Sequence, residues 1–228
     1  MTLTGRGCVR AVMVLVALAA LSGTPAHAQG YDTSAGWGGG YFQFAPFVES
    51  GNDTPRDIGF GGTWVAVLQA ESWKAARRIG LRLGGYYSHG NVTFPAVSKR
   101  AATYGIEAAG LLRIAPAREG NSLNLYLIGG GGLMWFSMED QDEDIIAIPG
   151  TSVVYDADEK LQPVALGGGG IEILPGLQLF DSPVGLRLEA VDNITFGSPF
   201  HPANSTDSEM RHNLRFTVTL FSGVEALF

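Results

Sequence analysis

Residues Asn213–Phe228, NLRFTVTLFSGVEALF, decide the fold. Read with a period of two, one face carries Leu214, Phe216, Val218, Leu220, Ser222, Val224, Ala226 and Phe228. The other carries Asn213, Arg215, Thr217, Thr219, Phe221, Gly223, Glu225 and Leu227. Alternation over this length means a strand with two different surroundings. At about 3.4 Å per residue it reaches roughly 50 Å, whereas strands of soluble domains usually hold about 5–6 residues. A tilted bilayer crossing needs about 9–11. The stretch therefore reads as a membrane-crossing strand ending on an aromatic.

Seven more alternating segments precede it: Gly40–Val48, Gly59–Gln69, Ile79–Ser88, Thr103–Ile114, Leu123–Phe136, Gln162–Leu174 and Val184–Val191. Val, Ile, Phe, Tyr, Trp, Thr and Gly dominate them, and no long segment has the spacing of an amphipathic helix. The connections 49–58, 89–102, 137–161 and 192–212 are long, and those at 70–78, 115–122 and 175–183 are short. Long and short alternate strictly. In an up-and-down barrel, odd connections emerge at one end and even ones at the other, and membrane barrels have long loops at one end only. The expected fold is all-β: a closed, eight-stranded antiparallel up-and-down transmembrane β-barrel, with both termini at the short-turn end.

The two strand faces differ in chemistry. One is nearly pure hydrocarbon, including Phe42, Phe44 and Val48, then Trp64, Ala66 and Leu68, then Ile79, Leu81 and Leu83. Phe42, Trp64, Tyr87, Tyr104, Trp135 and Phe228 fit an aromatic belt at the lipid boundary. The other face, with Gln43, Thr63 and Gln69, is small, polar or charged. Its charges are Arg82, Arg113, Arg187 and Arg215 with Glu107, Glu172, Glu189 and Glu225. There is no Lys and no Asp among them. The forked guanidinium suits buried pairing with a carboxylate, and equal numbers of each sign let an enclosed lumen be neutral. A lone buried charge would cost several kcal/mol. An eight-stranded barrel is just wide enough for side chains to fill, so these charges are expected to plug the lumen. The rival is an open path for small solutes. A soluble, lipocalin-like ligand-binding barrel would turn the aliphatic face inward and leave the Arg/Glu face in water, where Lys and Asp would be expected as well.

The N-terminus reads as a secretory signal peptide. Arg6 and Arg10 form a basic region, Ala11–Leu21 an apolar one, and Ala26-His27-Ala28 a cleavage site before Gln29. The expected domains are a cleaved segment 1–28 and a barrel domain 29–228, with strands from about residue 40. Removing 28 of 228 residues leaves 200, and removing two arginines takes the formal charge from −7 to −9. An acidic chain is a poor nucleic-acid binder. The single cysteine, Cys8, lies in the leader, so disulfides, thiolate metal sites and cysteine nucleophiles are excluded from the mature chain.

Other candidate sites are weaker. The run Glu139-Asp140-Gln141-Asp142-Glu143-Asp144 reads as a solvated loop with weak cation binding through Glu139, Asp140, Asp142, Glu143 and Asp144. It is not an EF-hand, because Ile145 stands where the loop glycine is required. The apolar Ile145-Ile146-Ala147-Ile148-Pro149 after it reads as a contact surface for a ligand, the barrel mouth or a partner. Gly129–Gly132 and Gly167–Gly170 continue as strands and lack the following helix of a phosphate loop, so they read as structural. His89, His201 and His212 fall in or beside the long loops, with no Ser/His/acid arrangement on one face. No catalytic residue, metal or cofactor is expected.

The chain resembles the small outer-membrane β-barrel proteins of the OmpA-transmembrane-domain, or outer membrane protein beta-barrel, family. The resemblance spans most of residues 40–228. It rests on LYLIGGGGLMWF, VALGGGGIEI, GLRLEAVDN and the ending HNLRFTVTLFSGVEALF. It implies a bacterial outer-membrane location reached by the general secretory route. It also implies folding by the barrel-assembly machinery, which reads a C-terminal aromatic strand matched here by Val224, Ala226 and Phe228. Outer-membrane lipid and lipopolysaccharide are the implied surroundings, the chain is expected to be a monomer, and no cell-wall tether is expected. The expected role is structural, adhesive or envelope-integrity. The alternatives are a porin-like diffusion channel and, further off, a lipid A-modifying barrel enzyme.

Overall fold

A computed structural model describes residues 31–45, 47–48, 57–74, 78–94, 97–114, 123–138, 145–147, 154–156, 160–179, 182–196 and 210–224. The expected leader with its cleavage site, the acidic run 139–144, and Glu225, Ala226 and Phe228 lie outside them, as does the side chain of Val224.

Eight strands form the wall: β1 Tyr31–Gln43, β2 Thr63–Lys74, β3 Ile79–Phe94, β4 Val97–Arg113, β5 Leu123–Met138, β6 Lys160–Leu179, β7 Ser182–Phe196 and β8 Met210–Val224. Each is antiparallel to its neighbours in sequence. The ring closes where β8 pairs with β1, from Thr33↔Val224 to Gln43↔Leu214. The fold is a closed, eight-stranded, all-antiparallel β-barrel. Closure leaves no edge strand unpaired around the wall.

The register sets the tilt. Partners followed once around the wall run Trp73, Gly80, Leu111, Ile128, Gly168, Val191, Arg215, Phe42, Thr63. The path returns to β2 ten residues from where it left. That stagger over eight strands tilts them by about 40° to the barrel axis.

Sidedness is that of a barrel in lipid. Large apolar side chains are exposed on every strand: Trp37, Trp64, Leu81, Leu112, Leu125, Leu177, Leu188 and Val218 are among them. The ionisable side chains Arg82, Arg187, Arg215, Glu71, Glu172 and Glu189 are buried inside. A soluble barrel has the reverse arrangement.

Three expectations are corrected. The first strand is Tyr31–Gln43, not Gly40–Val48, and its faces are exchanged: Phe42 and Phe44 are buried inside and Gln43 is exposed. The segment Gly36-Trp37-Gly38-Gly39-Gly40 lacks the side chains that would announce alternation. Second, the expected long connection 89–102 is mostly strand. β3 and β4 stay paired out to Phe94↔Val97, which leaves residues 95–96 as the connection. Strand Asp57–Phe60 joins this extension through Gly59↔Thr93 and Phe60↔Val92, and in turn pairs with Phe47–Val48. Third, His89 lies on β3 and His212 on β8. The apolar stretch at 145 forms a two-stranded ribbon, Ile145–Ala147 with Val154–Asp156. The other long connections remain at the end where β1, β5 and β7 finish. β6 and β7 change register between Ile173 and Leu177, around Pro175, which cannot donate to the ladder.

Candidate functional site

The lumen is two-layered. Toward the loop end it holds an apolar plug. The rings of Phe42 and Phe44 lie 4.2 Å apart, Phe42 meets Tyr86 at 5.6 Å and Phe44 meets Phe136 at 6.0 Å. Val65, Val67, Leu111, Ile128, Met134 and Leu166 also point inward. The inner face is therefore more apolar than its sequence pattern indicates.

Toward the turn end lies a continuous ladder of alternating charge, Arg113–Glu172–Arg187–Glu71–Arg82–Glu189. Arg113 Nη2 sits 2.6 Å from Glu172 Oε2, and Arg187 Nη2 sits 3.2 Å from Glu172 Oε1 and 2.7 Å from Glu71 Oε2. Arg82 donates to Glu71 Oε1 from Nε at 2.8 Å and from Nη2 at 2.6 Å. Arg82 Nη2 and the Tyr126 hydroxyl both donate to Glu189 Oε1. Neutral groups complete the set. Gln69 Nε2 donates to Glu189 Oε2 at 3.0 Å, Asn124 Nδ2 to Glu172 Oε2 at 3.3 Å, and Trp73 Nε1 to Glu71 Oε2 at 3.0 Å. Ser34 Oγ accepts from Arg187 Nη2 at 3.0 Å, and Thr217 Oγ1 donates to Glu189 Oε2 at 3.5 Å. With Ser34 on β1 and Thr217 on β8, all eight strands contribute. Every charge of the ladder meets an opposite charge, so removing any member strands a buried partner.

A separate pair lies nearer the apolar plug, Arg215 Nη2 to Glu107 Oε2 at 2.6 Å. Each of the four arginines also faces an aromatic ring: Arg82 Tyr126 at 5.9 Å, Arg113 Trp73 at 3.9 Å, Arg187 Phe221 at 3.8 Å and Arg215 Tyr86 at 4.5 Å. Guanidinium-on-ring contacts gain strength when desolvated. Each ring sits opposite a glycine on the adjoining strand: Trp73↔Gly80, Tyr86↔Gly105, Tyr126↔Gly170 and Phe221↔Gly185. A Cβ added at any of these glycines would come within 2.0–2.8 Å of the ring opposite.

Of the eight charges the sequence places on the inner face, Arg82, Glu107, Arg113, Glu172, Arg187, Glu189 and Arg215 lie inside in these pairs. Glu225 is outside the described residues. Sequence reading missed Glu71, which pairs with two arginines, because it assigned 70–78 to a turn. The signal was present: Val65, Val67, Gln69, Glu71 and Trp73 continue the inward period of Thr63.

No family model matches the chain, and no curated protein matches it. Among solved structures, the chain is similar to Neisserial surface protein A, with 10% identity over 84% of this chain and 95% of that one and a TM-score of 0.43. It is similar to the N-terminal β-barrel domain of Pseudomonas aeruginosa OprF, with 8% identity, 86% and 98% coverage and a TM-score of 0.39. It is also similar to the outer membrane protein OprG from Pseudomonas aeruginosa, with 9% identity, 85% and 96% coverage and a TM-score of 0.44.

Proposed function

We propose that this chain is a bacterial outer-membrane barrel with a closed lumen, serving a structural, adhesive or envelope-integrity role rather than conduction. The exposed apolar wall supports residence in lipid. The observation that carries the closed reading is the six-charge ladder, which ties opposite sides of the barrel together across its axis. The Phe42–Phe44–Phe136 layer lies between it and the loops. An ion crossing the barrel would have to part both. In this reading outer-membrane lipid and lipopolysaccharide surround the wall, and the barrel-assembly machinery inserts the chain after export by the general secretory route. Planar-bilayer recording on the purified barrel tests it. The expected trace is quiet, and large, steady single-channel conductance would replace this role with that of a small-solute channel. An altered lipid A profile in cells making the protein would point instead to an enzyme.

A further inference from the structure

Among the described residues, the loop-end half of the outward wall carries three ionisable side chains, Asp192, His212 and Arg100. Asp192 and His212 satisfy each other within the chain. Arg100, exposed on β4, meets no acid among those residues. Its outward placement follows from the unbroken register of Leu112, Tyr104 and Arg100 against Ile79, Tyr87 and Asn91.

Around Arg100 the same face is polar and free of acids. Asn91, Thr93 and Ser98 are exposed beside it, and His89 and Ser137 follow one step below, flanking Ala102. β3 and β5 contain no Asp or Glu, and the one acid of β4, Glu107, is buried in the lumen. The next step down is aromatic. Tyr87, Tyr104 and Trp135 lie side by side, and the Tyr87 ring is 5.2 Å from Tyr104 and 5.6 Å from Trp64. Below them Leu81, Leu83 and Leu133 are exposed. Hydrocarbon, ring and cation thus follow one another up a single sector. Such rings mark the boundary between acyl chains and headgroups. β6, β7 and β8 contain neither Trp nor Tyr, so the other side of the barrel lacks this succession.

Height selects the ligand. Arg100 stands four residues above Tyr104, about 14 Å along the strand and, at the strand tilt, about 10 Å along the axis. The headgroup layer of a phospholipid leaflet is only about 5–7 Å deep, and the phosphate there follows the glycerol directly. A phosphate carried on an acylated sugar is held farther out by the ring. A guanidinium takes phosphate through two parallel hydrogen bonds, and the amide and hydroxyls of Asn91, Thr93 and Ser98 suit sugar oxygens.

We propose that the outward face of β3–β5 seats a phosphorylated, acylated sugar of the outer leaflet. Its phosphate meets Arg100, its sugar the Tyr87–Tyr104–Trp135 rings, and its acyl chains Leu81, Leu83 and Leu133. The inference rests on the membrane-spanning reading and makes lipopolysaccharide the occupant of one sector rather than a general surrounding.

Native mass spectrometry of the purified barrel in a non-ionic detergent tests it, with bisphosphorylated lipid A as the probe. The parent is expected to retain one lipid A per barrel. Arg100→Gln is expected to reduce retention several-fold, Arg100→Lys to keep part of it, and Lys74→Gln at the turn end to change nothing. Removing the phosphates from the probe is expected to bring the parent down to the level of Arg100→Gln. Equal retention by the parent and Arg100→Gln, or of the probe with and without phosphates, would overturn the site. Equal, Arg100-dependent retention of phosphatidylglycerol would overturn the sugar-borne phosphate and assign Arg100 to phospholipid. A water-soluble maleimide reports separately on the wall, in native membranes holding Leu83→Cys in a Cys8→Ser background. If it labels Leu83→Cys freely, the membrane reading fails. If Leu83→Cys is protected and Arg100→Gln retains lipid A as the parent does, only the inference falls.

Discussion

Tyr86 fills the space that a side chain at Gly105 would need, since a Cβ built on Gly105 would lie 2.0 Å from the tyrosine ring. The two residues pair directly across β3 and β4, and the same ring carries the Arg215 guanidinium. The glycine seats the ring, and the ring seats the arginine. Gly105→Ala is therefore expected to displace Tyr86 and destabilise the barrel by about 1–3 kcal/mol, the usual cost of overpacking. Gly129→Ala, where an added Cβ meets nothing within 4 Å, is expected to stay within about 0.5 kcal/mol of the parent. Urea unfolding in lipid vesicles, followed by tryptophan fluorescence, separates the two.

Glu71 holds the centre of the ladder. Its two oxygens accept from Arg82, Arg187 and Trp73. Glu71→Gln keeps the shape and removes the charge, leaving Arg82 and Arg187 with one carboxylate each. Removing one partner of a buried pair costs about 3–5 kcal/mol, and this change affects two pairs. The expected result is a loss at the upper end of that range, or failure to refold into vesicles. Unchanged unfolding would mean that the ladder contributes nothing to stability.

The faces of β3 to β8 were legible in the chain because large apolar side chains alternate there with polar ones, as in Leu123-Asn124-Leu125-Tyr126-Leu127. The first strand was not, because its glycines carry no pattern and the side chains that do, Phe42 and Phe44, are apolar yet face inward into the plug. Interior apolar residues defeat a rule that assigns every apolar face to lipid. The length of the β3–β4 extension was hidden for a different reason. Beyond the membrane both faces of a hairpin can be wet, so Gly90-Asn91 and Lys99-Arg100 read as loop although the backbones stay paired. The four ring seats needed the register, which no single segment contains.

Arg215 and Glu107 stand apart from the ladder, and Arg215 Nε and Nη1 meet no acceptor. An isolated buried pair with unmet donors gains little over apolar side chains of similar size. Arg215→Met and Glu107→Met are each expected to cost about 3–5 kcal/mol. The double variant is expected to return close to the parent and to cost less than either single, because replacing a whole buried pair by apolar side chains of similar size is often neutral. The equivalent double change at Arg187 and Glu172 is expected to recover much less, because Arg187 also pairs with Glu71 and Glu172 with Arg113. Denaturation of the singles and doubles in one lipid measures both cycles.

Leu83 is 63% exposed and sits mid-strand on β3, between Ala70 and Ala108 in the register. On a wall facing water, Leu83→Arg would change stability by no more than about 0.5 kcal/mol. On a wall facing lipid near mid-depth, the same change is expected to cost about 2–4 kcal/mol, and Ile79→Arg at the turn end only about 0–1. Both positions are exposed on the same strand face, so the difference between them measures depth and not local packing. Equilibrium unfolding of the two variants in phospholipid vesicles gives that difference directly. Equal, small effects at both positions would return the wall to water and, with it, the Arg/Glu lumen to the inside of a soluble barrel.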